Sequence, residues 1–167
     1  RSPFNKDNVL GDNKVSYNAE TNTLTLNNAT IEPDEEFGET SGIVYSNDEN
    51  FTIELIGSNS VQGSYGCSAI AHYGNETTNL SFARVGNQHF SLDLIAPTGD
   101  FNDFIDGFET DLSSFFVFDN EDDGTYSKTI SSSILGGTGS EEEPFLIKTS
   151  EDLKQFARPR MTRIVDL

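Results

Sequence analysis

One strand motif occurs three times, at nearly even spacing, in the first half of the chain. The copies read TLTL from Thr23, FTI from Phe51 and LSF from Leu80. Leu24 and Phe51 lie 27 positions apart, and Phe51 and Leu80 lie 29 apart. The second and third copies each follow an asparagine and lead to a glycine. Strand-rich repeats of this length indicate stacked structural units, which limits the possible folds severely.

Most of the chain consists of short segments with strand-like alternation of apolar and polar residues. Asn, Asp, Gly and Ser separate these segments, and such residues favour turns. The only predicted helix is 150–157, with Ser150 as its N-cap. The predicted strands are 14–17, 23–26, 29–32, 42–46, 51–56, 60–62, 68–72, 79–85, 89–95, 114–118 and 126–130.

The repeat and the strands predict an all-β fold, most simply a short right-handed parallel β-helix or related solenoid. Each repeat would form one coil, and the strands of successive coils would pair. In TLTL the leucines would point inward and the threonines outward, and Asn27-Asn28 would form a corner. An antiparallel β-sandwich also has short, evenly spaced strands and is the alternative.

From about residue 100 the sequence becomes rich in phenylalanine and acids. Phe101, Phe104, Ile105 and Phe108 are spaced as in one short helical turn or a packed loop. SSFFVF and TYSKTI flank DNEDDG, a pattern that predicts a hairpin. A solenoid must cover its exposed end, so we expect a Phe-rich cap with its phenylalanines in the core. Residues 1–135 would then form one solenoid-like domain.

Residues 136–167 have a different composition. An acidic, Gly-rich linker, GGTGSEEE, precedes a short predicted strand at 144–148 and the predicted helix. Pro159 would end that helix, and the remaining tail is basic.

Residues 9–96 resemble a repeat found in secreted and surface proteins of gut bacteria. The residues that carry the resemblance are KVSYNAETNTLTLNNATIE, SGIVYS and FTIELIGSNSV. Proteins of that family are described as carbohydrate-binding or adhesin-like, and the resemblance implies a β-helical fold and an extracellular or cell-surface location. GGTGSEEEPFLIKTSEDLKQFA resembles the lead-in of a further β-helical surface module.

The charge of the chain excludes several kinds of partner. Asp and Glu total 28 against 10 Lys and Arg, a formal net charge of -18. Such a surface repels nucleic acid and anionic lipid. No apolar run approaches the ~20 residues that a membrane-spanning helix needs. The single cysteine, Cys67, permits no internal disulfide.

Four side chains are candidates for binding a glycan or a host or cell-surface component: Tyr45, Tyr65, His72 and Tyr73. They lie near the predicted repeat corners beside asparagines, and protein–sugar contacts use aromatic faces next to amides and carboxylates. The alternative is that they pack the corners.

Three acids, Asp119, Glu121 and Asp123, imitate the first half of an EF-hand loop. The twelfth position is Ile130, where that loop needs a bidentate glutamate, so the segment is not an EF-hand. A solvated hairpin tip is the alternative, and calcium is the one cofactor that these acids suggest.

The chain shows no Ser-His-Asp pattern, phosphate loop or cofactor fingerprint. We therefore expect a noncatalytic module for adhesion or glycan recognition. A structural stalk or spacer is the alternative, and a polysaccharide-degrading enzyme is the weaker one.

Overall fold

The computed structural model describes residues 7–34, 36, 38–97 and 104–132, and the backbone of two short strands at 145–146 and 165–166. Strands make up 52% of the described structure, and it contains no α-helix, so the predicted all-β class is confirmed.

The first unit spans Arg1–Ser132 and the second Ser133–Leu167. The strands are β1 Val15–Asn18, β2 Thr23–Asn27, β3 Thr30–Ile31, β4 Ile43–Tyr45, β5 Phe51–Gln62, β6 Ile70–His72, β7 Thr78–Arg84, β8 Phe90–Ala96, β9 Ile105–Asp106, β10 Phe108–Glu109, β11 Phe116–Asp122, β12 Thr125–Ser131, β13 Phe145–Leu146 and β14 Val165–Asp166.

Three ladders of parallel strands organise the first unit. The first ladder is β2–β5–β7–β10, the second β3–β5–β8 and the third β4–β6–β9. The long strand β5 belongs to two ladders because its first half continues one and its second half the other.

Apolar side chains at paired positions of neighbouring strands stack in rows inside these ladders. Buried residues alternate with more exposed ones along β2, β5 and β8, as the period of a strand requires. The interior rows are Leu24–Ile53–Phe82, Ile31–Val61–Leu94 and Ile43–Ile70–Ile105. All but Ile105, which is half-buried, belong to the buried core.

Antiparallel strands lie at both ends of this stack. β1 pairs with β2, and β12 pairs with β8 and with β11. The sheets are therefore mixed, and they do not close into a barrel.

The pairing of β2 with β5 is shifted by two residues from the register that the predicted repeat implies. Leu24 pairs with Ile53, 29 positions on, instead of with Phe51. Phe51 pairs with Leu80 as predicted. Because side chains alternate with period two, the error of two residues left every predicted inward residue on the inward face.

One corner repeats with an interval of 29 residues. Asn28, Gly57 and Gly86 all have left-handed backbone angles, with φ of 51°, 70° and 57°. The Asn28 carboxamide oxygen accepts a hydrogen bond from the Ser58 N–H at 3.1 Å. A Cβ atom on Gly57 would lie 2.2 Å from that oxygen, so close approach as well as φ requires glycine here.

The Phe-rich segment does not form a helical turn. Ile105–Asp106 pairs with β6 and Phe108–Glu109 pairs with β7, so both strands continue the parallel ladders. Helical spacing of apolar residues was misleading because Gly107, with φ of 75°, separates two strands of two residues each. As predicted, the described phenylalanines after residue 100 are buried or half-buried.

The predicted hairpin is present, but its tip is shorter than the sequence suggested. Strands β11 and β12 pair from Phe116–Ser131 to Asp122–Thr125, so only Asp123 and Gly124 form the turn. Their φ angles of 50° and 77° suit the two-residue turns that connect hairpins. Asp119–Asp122 therefore belongs to a strand and not to a loop.

In the second unit, β13 and β14 pair in parallel. The predicted linker, the 150–157 helix and most of the basic tail lie outside the described residues. No helix in the described part of the chain is long and apolar enough to cross a membrane.

Candidate ligand-binding groove

Two of the four predicted binding residues come together inside the protein. Tyr45 and His72 are 7% exposed each, and their ring centroids lie 5.9 Å apart. Tyr45 stacks on Phe51 at 4.3 Å with an interplanar angle of 7°, and Phe108 lies 5.1 Å from His72. These four rings form a largely interior aromatic cluster, in which Phe108 is half-buried.

Polar atoms in this cluster are bound within the protein. The Tyr45 hydroxyl donates to the Glu49 carbonyl at 3.1 Å, and burial and nearby acidic groups raise the pKa of Tyr45 to about 12. His72 Nε2 lies 2.8 Å from the Asn47 carbonyl, and Nδ1 lies 3.2 Å from the Gly107 carbonyl. A neutral imidazole has one N–H, so in that form His72 donates a hydrogen bond to one of these two carbonyls.

The other two predicted residues, Tyr73 and Tyr65, are exposed. Tyr73 is 62% exposed and follows β6, and Tyr65 is 70% exposed and precedes it. The two rings therefore lie at opposite ends of one strand. Tyr65 lines an exposed groove, whereas the buried Tyr45 lines a separate, mostly apolar cavity of about 400 Å³ together with Tyr17 and Phe51.

The Tyr65 groove, as we call it, forms where the carboxyl ends of β3, β5 and β8 meet. Its volume is about 470 Å³, in the range of small-molecule sites. Three adjacent parallel strands span about 10 Å, so the groove crosses three strand ends. Side chains that line it include those of Glu32, Pro33, Glu39, Gln62, Tyr65 and Pro97.

A tight turn fixes the backbone that carries Tyr65. The Cys67 N–H donates to the Ser64 carbonyl at 2.9 Å, and Gly66 has φ of 78°, as the third residue of a type II turn requires. The Ser64 N–H donates to the Thr40 carbonyl, and the Ser64 hydroxyl accepts from the Thr40 N–H. These bonds hold the turn against the segment that precedes β4, so the backbone that carries the Tyr65 ring is fixed.

The electrostatic character of the groove is negative. Glu32 and Glu39 supply carboxylates, and Gln62 supplies an amide. Burial and the charge of Glu39 raise the pKa of the Cys67 thiol next to the turn. Among the described lining residues of the groove there is no Lys or Arg, and the sequence contains none between Lys14 and Arg84.

The three acids of the predicted metal site lie on the β11–β12 hairpin, and two of them have partners within the hairpin. Asp119 accepts a hydrogen bond from Lys128 Nζ at 2.6 Å, and Glu121 accepts from the Gly124 N–H at 2.9 Å. Asp123 occupies the turn. In the part of the chain that the structure describes, no group of three His, Cys, Asp or Glu residues could hold a metal ion. Calcium binding stays a prediction.

Sequence reasoning found Tyr65 but missed the residues around it. Glu32 and Gln62 are 30 positions apart and become neighbours because Ile31 pairs with Val61. A correct register of the repeat would have brought them together. Glu39 and Pro97 come from segments between strands, where the repeat carries no signal.

Comparisons with protein-family models, with curated proteins and with solved structures each find no match for this chain.

Proposed function

We propose that this protein is a noncatalytic glycan-recognition module of a secreted or cell-surface bacterial protein, and that the Tyr65 groove binds the glycan. The observation that carries the proposal is an aromatic ring, 70% exposed, held by a hydrogen-bonded turn beside carboxylates and an amide. An exposed ring on a fixed backbone loses little conformational entropy when a sugar stacks on it.

Three further observations support a surface-binding role. The groove is open and has both polar and apolar lining side chains, as suits a sugar with hydroxyl groups and an apolar ring face. Its floor is built from strand ends of three coils, so it extends across the coils as an oligosaccharide would. The resemblance of residues 9–96 to a surface repeat of gut bacteria supports the bacterial cell surface as its location.

For the architecture, we propose a short right-handed parallel β-helix that is closed at each end by an antiparallel strand. The three parallel ladders and the corner that recurs every 29 residues support this assignment over an antiparallel sandwich. Parallel crossover connections are right-handed in the great majority of proteins. β1 and the β11–β12 hairpin would act as the caps that a solenoid needs.

A glycan array, run with and without calcium, tests the proposed function. Wild-type protein should be retained selectively on a small group of glycans, and Tyr65→Ala should remove that retention. Tyr73→Ala is the matched control because Tyr73 is nearly as exposed but lies at the other end of β6. Absence of selective retention in both conditions would refute the proposal.

One observation favours a second candidate function, that of a rigid spacer between other modules. Asn59, which is 3% exposed, bonds to backbone groups of three coils and so ties the stack along its axis. A spacer predicts a high unfolding force with no glycan retention, and single-molecule stretching together with the array separates the two functions.

A further inference from the structure

We propose that the Tyr65 groove selects glycans that carry protonated amino groups, with an ammonium held between the Tyr65 ring and the carboxylates of Glu32 and Glu39. This inference rests on the proposed function and names the class of glycan that the groove binds. The observations that carry it are the charges that line the groove and the exposure of the ring.

The charged side chains of the groove are negative. Both charged side chains among the described lining residues are carboxylates, and the sequence supplies no Lys or Arg from Val15 to Ala83. A uronic acid or sialic acid would therefore meet repulsion without a compensating cation. A glycan with ammonium groups would meet attraction at every position of the groove.

The chemistry of the Tyr65 ring also favours a cation. The face of a tyrosine carries negative electrostatic potential and attracts a cation within about 6 Å of the ring centre. An ammonium group between an aromatic face and carboxylates gains the cation–π attraction and the attraction between opposite charges together. A neutral sugar would use the apolar contact with Tyr65 but would leave the carboxylates without a charged partner.

The two acids are not needed to hold the turn. Ser64 and Thr40 form its hydrogen bonds to the segment before β4, and among the described residues neither Glu32 nor Glu39 takes part in them. The acids can therefore be changed without loosening the turn, which makes the proposal testable by substitution.

The experiment is isothermal titration of the whole chain at low ionic strength and about pH 6, where amines are protonated. The probes are a trimer of β-1,4-linked glucosamine, its N-acetylated form, trigalacturonate and trilysine. Trilysine carries ammonium groups without sugar rings, so it separates recognition of the sugar from attraction of any cation. The variants are Tyr65→Ala and Glu39→Gln, with Tyr73→Ala and Glu76→Gln as matched controls outside the groove.

We expect the glucosamine trimer to bind roughly three- to ten-fold more tightly than the N-acetylated trimer, because two partly exposed ion pairs are gained. Glu39→Gln should weaken glucosamine binding roughly two- to five-fold, and Tyr65→Ala at least about ten-fold. Each control should change it less than about two-fold. Trilysine should lose less affinity in Tyr65→Ala than the glucosamine trimer does, because it has no sugar ring to stack on Tyr65.

The outcomes separate the two proposals. Equal or tighter binding of the N-acetylated trimer, lost in Tyr65→Ala, would overturn the amino-group inference and leave glycan recognition standing. A second result would also overturn the inference. If Glu76→Gln weakens glucosamine binding as much as Glu39→Gln does, and Tyr65→Ala has no effect, the attraction comes from the overall negative charge of the protein and not from the groove. Tighter binding of trigalacturonate would overturn it as well. No binding of any sugar here, with no selective glycan on the array, would overturn both proposals.

Discussion

The side chain of Asn59 offers the sharpest test of how the coils are held together. It is 3% exposed and lies on β5, just after the corner at Gly57. Its carboxamide oxygen accepts a hydrogen bond from the Ala29 N–H in the preceding coil at 2.9 Å. Its NH2 group lies 3.1 Å from the Ile56 carbonyl, 3.3 Å from that of Gly57 and 3.4 Å from that of Ser91 in the following coil.

Substitution of Asn59 by alanine removes a hydrogen-bond partner from each of these backbone groups, and the energetic cost differs from group to group. The Ala29 N–H loses its acceptor in a residue that is 1% exposed, at a cost of about 1–3 kcal/mol. The Ile56 carbonyl keeps a donor, the Asn28 N–H at 3.0 Å. Weaker bonds to Gly57 and Ser91 add about 1 kcal/mol. We expect Asn59→Ala to lower the free energy of unfolding by about 2–4 kcal/mol.

Urea denaturation followed by far-ultraviolet circular dichroism measures this loss directly. The corresponding decrease in Tm is about 5–15 °C for a chain of this size. Ser60→Ala is the matched control, because Ser60 is the next residue on the same strand and its side chain points outward. Its effect should be below about 0.5 kcal/mol.

The reasoning is refuted if Asn59→Ala and Ser60→Ala are equally mild. That result would mean that the coils are held by apolar stacking alone and that the Asn59 hydrogen bonds contribute nothing net. Asn59→Asp refines the test, since it keeps the acceptor for the Ala29 N–H but loses the donors. It should fall between the wild type and Asn59→Ala if the acceptor dominates.

Two further predictions concern the corner and the aromatic cluster. Gly57→Ala should lower the free energy of unfolding by about 2–4 kcal/mol in urea denaturation, because the new Cβ atom would meet the Asn28 side chain and the backbone has a left-handed φ. Gly66 has a similar φ but no atom near its Cβ position, so Gly66→Ala should cost only about 1 kcal/mol. Burial raises the pKa of Tyr45 from its ordinary value of 10.0 to about 12, so the stability it adds is complete below about pH 10 and is lost as the pH rises towards 12. Tyr45→Phe should flatten that alkaline loss in denaturation measured from pH 9 to pH 12, and an unchanged slope would contradict the assignment.

Much of the fold could be predicted from local patterns. Leu24 and Leu26 alternate with threonines because a strand with one buried face has period two, and the structure buries both. Asn28 was expected at a corner because asparagine tolerates left-handed angles, and its φ is 51°. These inferences need only a few neighbouring residues, so one sequence is enough.

Features that depend on distant pairing could not be predicted. Tyr45 and His72 lie beside polar corners in the sequence, and their burial depends on Phe108, which comes from a later coil. The boundary of the hairpin turn depends on how far β11 and β12 stay paired, which composition does not reveal.

The Tyr65 groove illustrates the same limit for the candidate site. The sequence points to Tyr65 itself because it is an aromatic residue near a predicted repeat corner with asparagines. Glu32, Glu39 and Pro97 reach it only through the stacking of coils. Without the register, the acids of this groove are indistinguishable from the other acids of a very acidic chain.

Localisation of a bound glycan on the isotopically labelled protein by NMR tests the central claim most directly. The ligand is the strongest hit of the glycan array, titrated into wild-type protein and Tyr65→Ala. We predict saturable shifts of backbone amides confined to Ser64–Cys67, Glu32 and Gln62, and their absence in the variant. Saturable shifts centred on Tyr73 or the β11–β12 hairpin, or shifts that persist in Tyr65→Ala, would contradict the account.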